Sequence, residues 1–531
     1  MFIRKKLNKG GSFSILLQHA YRVAGKKYSA TKIVKNFGSA RGSKAIATLV
    51  KQASEYKAHL ETISPRPQIL KIASAPDLKS CRSYNVGFSD VYGNAFDKVF
   101  EKFNFKFMDR LKDLVVLRIA SPSSKRRTAN IAEEYGANLE VDNIYKLMDQ
   151  LTAPTIKAIK QTIYQHSKKL LAENKEQVDV LFYDLTTVYF ETNTQDEIRD
   201  FGFSKDGKHQ HVQIMLAVIV TKEGLPIDYE EFPGNYYEGH TLVPVLNKIK
   251  ERHNVDQTVL VADAALMNKI NLKELDERKI KYVIAARIKN TKQDLKKIIL
   301  DPNGYQKIAD GEDIIKAKTI DSGDGDLIIA YHSSRRAKKD GYDREKDLEK
   351  IRKHVASTAK SNLTSRLKKP YVKVSKECKV EIDYEKLNLE QQFDGFFGLR
   401  TNIDNATPID LLSSYRGLWQ VEQTFRIAKS NLEIRPVFHH APRRIRAHFA
   451  ICYMALALIR YVGFALKNKA NHMPCDQLHL LLEKMRKTHI IDCNSELFEI
   501  LEDPPNELIP IYQALKISWP LKFRHRHKVL L

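Results

Sequence analysis

Val212 to Thr221 (VQIMLAVIVT) is apolar at eight of ten positions, and no other stretch constrains the fold as much. It is too short to cross a bilayer as a helix. It is too continuous for a strand with one wet face, so it reads as a central strand buried on both faces. Such a strand needs hydrogen-bonded neighbours and covering layers, which is an α/β arrangement. The flanks supply them. Val178 to Glu191 (VDVLFYDLTTVYFE) is rich in β-branched and aromatic residues and predicts a strand, with Asp206-Gly207 as a hairpin-type turn after it. Lys222-Glu223-Gly224 closes the central run as a turn. A helix over Thr241–Arg252, a strand over Thr258–Asp263, a helix over Asn271–Arg278 and a strand over Tyr282–Arg287 follow. Strand, strand pair, helix, strand, helix, strand is the order of a sheet with mixed directions.

The other segments divide the 531 residues into five parts. Residues 1–172 mix strands and helices as an α+β domain; within them Thr128–Leu151 reads as helix, Gly136 break, helix, either a helical hairpin or a helix-turn-helix. Residues 173–290 hold the first part of the α/β core. Residues 291–398 break its rhythm with Gly311, Gly323, Gly325 and a charged helical stretch from Asp343 to Lys360, and read as an insertion. The core resumes with Asp394–Asn402 and a helix from Pro408, giving a second, helical core segment over 399–467 and a helical, basic region over 468–531. Phe449–Leu466 is apolar enough to raise a membrane span, but it carries Arg460 and reads as a buried core helix. Cys81, Cys378, Cys452, Cys475 and Cys493 form no C-x-x-C pair, which points away from a zinc ribbon or disulfide framework and suits a reducing cytoplasm.

Eighty-eight Lys+Arg against 64 Asp+Glu leave a net charge of +24, a long-range attraction to polyanions that carries no information on fold. Within this basic chain three carboxylates stand where a hard cation could be held. Asp184 lies inside a strand beside Thr186 and Thr187. Asp263 ends a strand, the position where open α/β sheets place ligand-binding groups. Glu422 belongs to the series Tyr415, Glu422, Lys429, spaced by seven and therefore expected along one helix face. Mg²⁺ prefers oxygen ligands and keeps several waters, so two or three carboxylates plus a substrate phosphate suffice. Two such ions about 4 Å apart serve in-line displacement at phosphorus. Taken singly, each carboxylate is as readily a solvated charge or a cap, and periodicity cannot bring Asp263 to Glu422, 159 residues later. His209, His211, His439 and His440 match no zinc spacing.

The segments FGFSKDGKHQHVQIMLAVIVTKEGLPIDYEEFPGN (201–235), VADAALMN (261–268) and YRGLWQVEQTFRIAKSNLEIRPVFHH (415–440) resemble DDE transposases of bacterial insertion sequences. The nearest likeness is to the insertion sequence 1634 branch of the insertion sequence 4 group. It implies an RNase H-like catalytic core interrupted by an insertion domain between the second Asp and the Glu. It implies Asp184, Asp263 and Glu422 as the catalytic, metal-holding residues, with two Mg²⁺ ions per site and Mn²⁺ able to substitute. The signature Y-x2-R-x3-E-x6-K falls on Tyr415, Glu422 and Lys429, but its Arg position is Leu418, leaving Arg416 or Arg426 to supply the guanidinium. With these, Lys429, Arg435, Arg443, Arg444 and Arg446 form a basic run that would track the DNA backbone. Residues 1–172 become the module that binds the element's ends. The partners implied are double-stranded DNA, as transposon ends and target, and a second copy of the chain on paired ends, in the bacterial cytoplasm at the nucleoid. Trp419 and Trp519 lie outside 291–398, so no Trp of the insertion could receive a flipped base. A catalytically silent DNA-binding regulator and a general nuclease of the same fold are the alternatives.

Overall fold

The computed structural model describes residues 1–8, 10–22, 29–63, 78–202, 210–253, 258–264, 268–309, 311–357, 369–374, 380–469, 473–492 and 496–526. Asp206-Gly207, His209, Cys378 and Cys493 lie outside the described residues. Two compact units form: Met1–Asn94 with Ala129–Leu139 and Ala465–Leu531, and Ala95–Thr128 with Glu140–Phe464.

The first unit opens with β1 (Phe2–Leu7), β2 (Phe13–Arg22) and β3 (Ser29–Ala40) as an antiparallel sheet, then α1 (Ser43–Ile63) and β4 (Leu78–Asn85). Along the chain come α2 (Asn94–Val99), α3 (Met108–Ala120), α4 (Lys125–Ile131), α5 (Val141–Gln150) and α6 (Ala153–Glu173). Gly136, between α4 and α5, takes φ +71°, a conformation that costs glycine nothing.

The second unit is built on a nine-stranded mixed sheet. Its elements in order are β5 (Val180–Tyr189), β6 (Gln213–Thr221), β7 (Pro226–Pro233), α7 (Leu242–His253), β8 (Val259–Ala262), α8 (Lys269–Glu277), β9 (Lys281–Ala286), α9 (Gln293–Leu300), β10 (Gln306–Ala309), β11 (Ile315–Asp321) and β12 (Leu327–Ser333). Then follow α10 (Ser334–Ser357), β13 (Val372–Val374), β14 (Val380–Ile382), α11 (Tyr384–Gln392), β15 (Phe396–Thr401), α12 (Pro408–Arg416), α13 (Trp419–Arg426) and α14 (Pro442–Lys469). The strand order is β10-β11-β12-β15-β9-β8-β5-β6-β7, with β5, β8 and β9 parallel and the other pairs antiparallel. All nine residues of β6 are buried, as its apolar run requires.

Side-chain alternation divides the sheet's faces. Leu181, Tyr183 and Leu185 of β5 and Ala262 of β8 pack with Leu242, Val245 and Ile249 of α7 and Leu272 and Leu275 of α8. Period two therefore turns Phe182, Asp184 and Thr186 to the other face. There α13 packs on β5 and β6.

The stretch 291–398 departs from the expected insertion in one respect: its strands β10, β11 and β12 extend the main sheet. The link is β15, which pairs Phe396–Thr401 with β12 on one side and Gly398–Thr401 with β9 on the other. The α10 helix and the β13–β14 hairpin gather a small core of their own around Ile351, Tyr371 and Leu387.

The helix α14 is long and apolar enough over Pro442–Lys467 to cross a membrane, with mean hydropathy 1.9, yet 83% of that apolar window is buried within the protein. Burial is how a core helix satisfies such a sequence. The first unit closes with α15 (Cys475–Glu483), β16 (Arg486–Asp492), β17 (Leu497–Leu501), α16 (Leu508–Ala514) and β18 (Phe523–Arg526), the strands joining β4 in the antiparallel order β18-β17-β16-β4.

Candidate functional site

The parallel pair β5–β8 sets Tyr183 opposite Ala262. One residue further along stand Asp184 and Asp263, on neighbours that parallel pairing holds about 4.8 Å apart. Asp184 is partly buried, and its Oδ1 accepts the Leu185 N–H at 2.7 Å. Asp263 leaves the strand end, is exposed, and accepts the Ala264 N–H at 2.6 Å. On the opposite face the Tyr183 hydroxyl donates to Thr241 Oγ1 at 2.7 Å, which fixes β5 against the α7 layer.

The helix expected to carry Tyr415, Glu422 and Lys429 on one face is not continuous. It ends as α12 at Arg416 and restarts as α13 at Trp419, and Ile427–Asn431 then widens into a π turn. Between the two helices the bonds tighten to i→i+3, with Leu418 N–H to Tyr415 O at 3.0 Å and Gln420 N–H to Gly417 O at 3.0 Å. A seven-residue spacing assumes 3.6 residues per turn throughout, so it misplaces these side chains. Gly417 explains the close approach: a Cβ there would lie 2.4 Å from Cζ of Phe182, beside Asp184 on β5.

Tyr415 shows which charges nonetheless meet. Burial, and then the carboxylates of Asp263 and Glu422, push its phenol up to about 12, with the Arg336 guanidinium acting in the opposite sense. Asp263 and Glu422, distant in sequence, thus act on one hydroxyl. Neither carboxylate has a cationic side-chain partner among the described residues. Asp184 and Asp263 thus stand one residue beyond the last paired position of β5 and β8, and Asp263 and Glu422 both act on Tyr415. Among the described residues, however, no three His, Cys, Asp or Glu side chains are gathered closely enough to hold an ion. The donor set is still the right kind for a hard divalent cation: carboxylate oxygens, with no cationic side chain paired to Asp263 or Glu422 among the described residues.

Two arginines that matter here were missed by sequence reasoning. Arg336, on the first turn of α10, reaches Tyr415 only through the fold, and nothing in its local sequence signals this. Arg460, the one charge inside the apolar stretch of α14, was readable as an anomaly but not as a tie. Its Nε donates to Gly224 O at 2.6 Å, Nη1 to Gln423 Oε1 at 2.8 Å, and Nη2 to Gln420 Oε1 at 2.7 Å. It therefore fastens the helix that carries Glu422 to the β6–β7 turn. Gly224, at φ +80°, leaves the room, since a Cβ would sit 1.3 Å from Nη2.

The other basic residues separate into two groups. Arg416 and Arg426 are exposed, and Arg416 helps hold the Asp313 carboxyl below its usual range. Lys429 lies in the π turn, and Arg435 sits over the Tyr189 ring at 5.7 Å. The run beginning at Arg443 is not an open basic track. Arg444 holds Asp149 through two bonds of 2.8 Å, and Arg446 pairs with Glu231 at 3.0 Å and Glu197 at 3.2 Å. Arg443 also reaches Asp149, at 3.1 Å, but its side chain stays 68% exposed.

The sheet is mixed α/β, with one acidic residue inside a strand, a second just past the end of the parallel neighbour, and a third on a helix that packs on the first strand. Residues 176–458 match the transposase DDE domain family, and the chain belongs to that family. Its members cleave DNA and transfer strands, and generally use divalent metal ions. No curated protein matches the chain. A piggyBac transposase synaptic complex with hairpin DNA overlaps at a TM-score of 0.38 and 9% identity, over 75% of this chain and 76% of that one. A Mos1 transposase paired-end complex with the left transposon end overlaps at 0.15 and 8%, over 44% and 66%. Overlaps this loose carry no argument about this chain.

Proposed function

We propose that the protein is the Mg²⁺-dependent transposase of an insertion sequence in the 1634 branch, cutting at terminal inverted repeats and joining the freed 3′ ends to target DNA. The observation that carries this reading is the match of residues 176–458 to the transposase DDE domain family, and the electrostatic action of both Asp263 and Glu422 on Tyr415, with Asp184 on the neighbouring strand, agrees with it. Mg²⁺ held by Asp184, Asp263 and Glu422, two ions per site with Mn²⁺ able to substitute, would supply Lewis acidity to the scissile phosphodiester and charge to its attacking oxygen.

The chain's own groups do the rest. Tyr415, kept protonated by burial and then by its acidic neighbours, offers a hydrogen bond to a phosphate oxygen. Arg336 supplies positive charge beside it, in place of the guanidinium that Leu418 does not provide. Arg416, Arg426, Lys429 and Arg443 meet flanking phosphates, while Arg435, Arg444 and Arg446 act first as internal struts. In this reading 173–290 and 399–467 form an RNase H-like core, 291–398 the insertion, 1–172 the end-binding part and 468–531 a basic accessory region. A homodimer on paired ends would act at the bacterial nucleoid.

The DNA flanking the reading frame supplies the substrate. Asp184→Asn or Glu422→Gln should abolish Mg²⁺-dependent cleavage of an inverted-repeat end while leaving end binding intact. Full cleavage by either variant defeats the assignment. Leu418 favours the silent regulator as a second reading, and that reading requires the wild-type protein to bind the end without cutting it. Equal cutting of end-containing and random DNA would mark a general nuclease.

A further inference from the structure

Four basic groups from four segments of the second unit gather where, among the described residues, no carboxylate pairs with them. Arg118 ends α3 and is 6% exposed, Lys125 opens α4 at 4%, and His448 of α14 is 3% exposed. Arg118 Nη1 donates to Ser123 O at 2.7 Å, its Nη2 lies 3.4 Å from the His448 ring nitrogens, and its Nε is buried without an acceptor. The His439 ring stands 5.5 Å from that of His448, and Lys125 and Arg118 both act electrostatically on the two imidazoles. At the same loop Thr128 Oγ1 donates to Ser124 O at 3.1 Å and accepts from the Ser123 hydroxyl at 3.2 Å, which holds the turn between α3 and α4. Among the described residues neither Arg118 nor Lys125 has an acidic partner. Buried like charges without a counter-charge are strongly unfavourable. A lysine can escape by losing its proton, and burial with Arg118 alongside does push Lys125 down to about 7. Arginine cannot, so a positive charge remains.

We propose that Arg118, Lys125, His439 and His448 form an anion site for a phosphate group, independent of the carboxylate assignment. Arg118 keeps its charge and an unsatisfied Nε–H, and Lys125 can add a second positive charge when an anion arrives, while His448, which lies 3.2 Å from Ile434 O, and His439 border them as neutral imidazoles. Arg126 and Arg127, the next two residues of α4, are exposed and carry the positive charge from this site to the surface. The phosphate can come from a DNA backbone or from solution, and the two sources are separable.

Full-length protein is unfolded thermally with increasing inorganic phosphate at constant ionic strength. The wild type should gain melting temperature saturably, while Lys125→Met, relieved of a buried ammonium, should fold at least as well and lose the response. Arg118→Gln should lose it too and decides the matter if Lys125→Met does not fold. Binding to a short mixed-sequence duplex then separates the sources. A drop of about one in the salt slope on Lys125→Met assigns a backbone phosphate, and an unchanged slope with a retained wild-type phosphate response assigns the free anion. An equal phosphate response in wild type and variants overturns the site. So does no wild-type response together with an unchanged slope, which leaves Lys125 an ordinary buried lysine.

Discussion

Tyr415 concentrates the electrostatics of the site on one phenol. Removing a negative neighbour should let it ionise more readily, so Glu422→Gln should lower its titration midpoint from about 12, as followed by NMR of ¹³C-labelled tyrosine. Tyr415→Phe, which deletes the donor and keeps the ring, should slow single-turnover cleavage by about a hundredfold with DNA affinity preserved. Wild-type rates in that variant would remove the hydroxyl from the mechanism. The settings of the three acidic residues were legible, each a place with local meaning: a strand interior, a strand end, a helix. Arg336 was not, since its electrostatic reach to Tyr415, 79 residues later, exists only in the folded chain.

Elements decide how the third carboxylate is presented. The α13 helix has eight residues, too few to be stable alone, and Arg460 supplies its tie to the sheet. Arg460→Lys replaces a planar fork with a point charge. Backbone hydrogen exchange over Trp419–Arg426 should then accelerate in the metal-free protein, while that of β6 stays unchanged; equal protection would show that the tie is dispensable. Gly417→Ala forces a methyl toward Phe182 and should cost about 1–3 kcal/mol in urea unfolding. The succession of β5, β6, α7, β8, α8 and β9 was readable because each is a single apolar pattern between turn signals. The break between α12 and α13 was not. It answers to the ring of Phe182, 235 residues before Gly417, and Gly417 alone could equally have sat within a helix.

At the scale of the molecule, charge acts both outward and inward. The surplus of +24 was visible at once and fits the family's polyanionic substrate. Hidden from sequence was a knot of charge under β7, where Lys160, Arg252 and His253 meet Asp228 and Glu230. Burial alone would raise Asp228, but Lys160, His253 and Arg252 outweigh it and hold its carboxyl far below the usual range. A folded value below the unfolded one, about 4, means stability present above that pH and lost as the solution becomes more acid. The urea midpoint should therefore fall below about pH 4. Asp228→Asn should cost about 3–5 kcal/mol at neutral pH, and its deficit relative to wild type should shrink in acid. A pH-independent deficit would mean that the pairing is not what stabilises.

Because β12 is stitched to β15, and β15 to β9, the stretch between the second and third acidic residues is not a detachable appendage. Excising it would strip a hydrogen-bonding border from the sheet and invite self-association of the trimmed protein. Variation in length should be tolerated beyond β12, in the α10 and β13–β14 lobe, where no strand of the central sheet would have to be resealed.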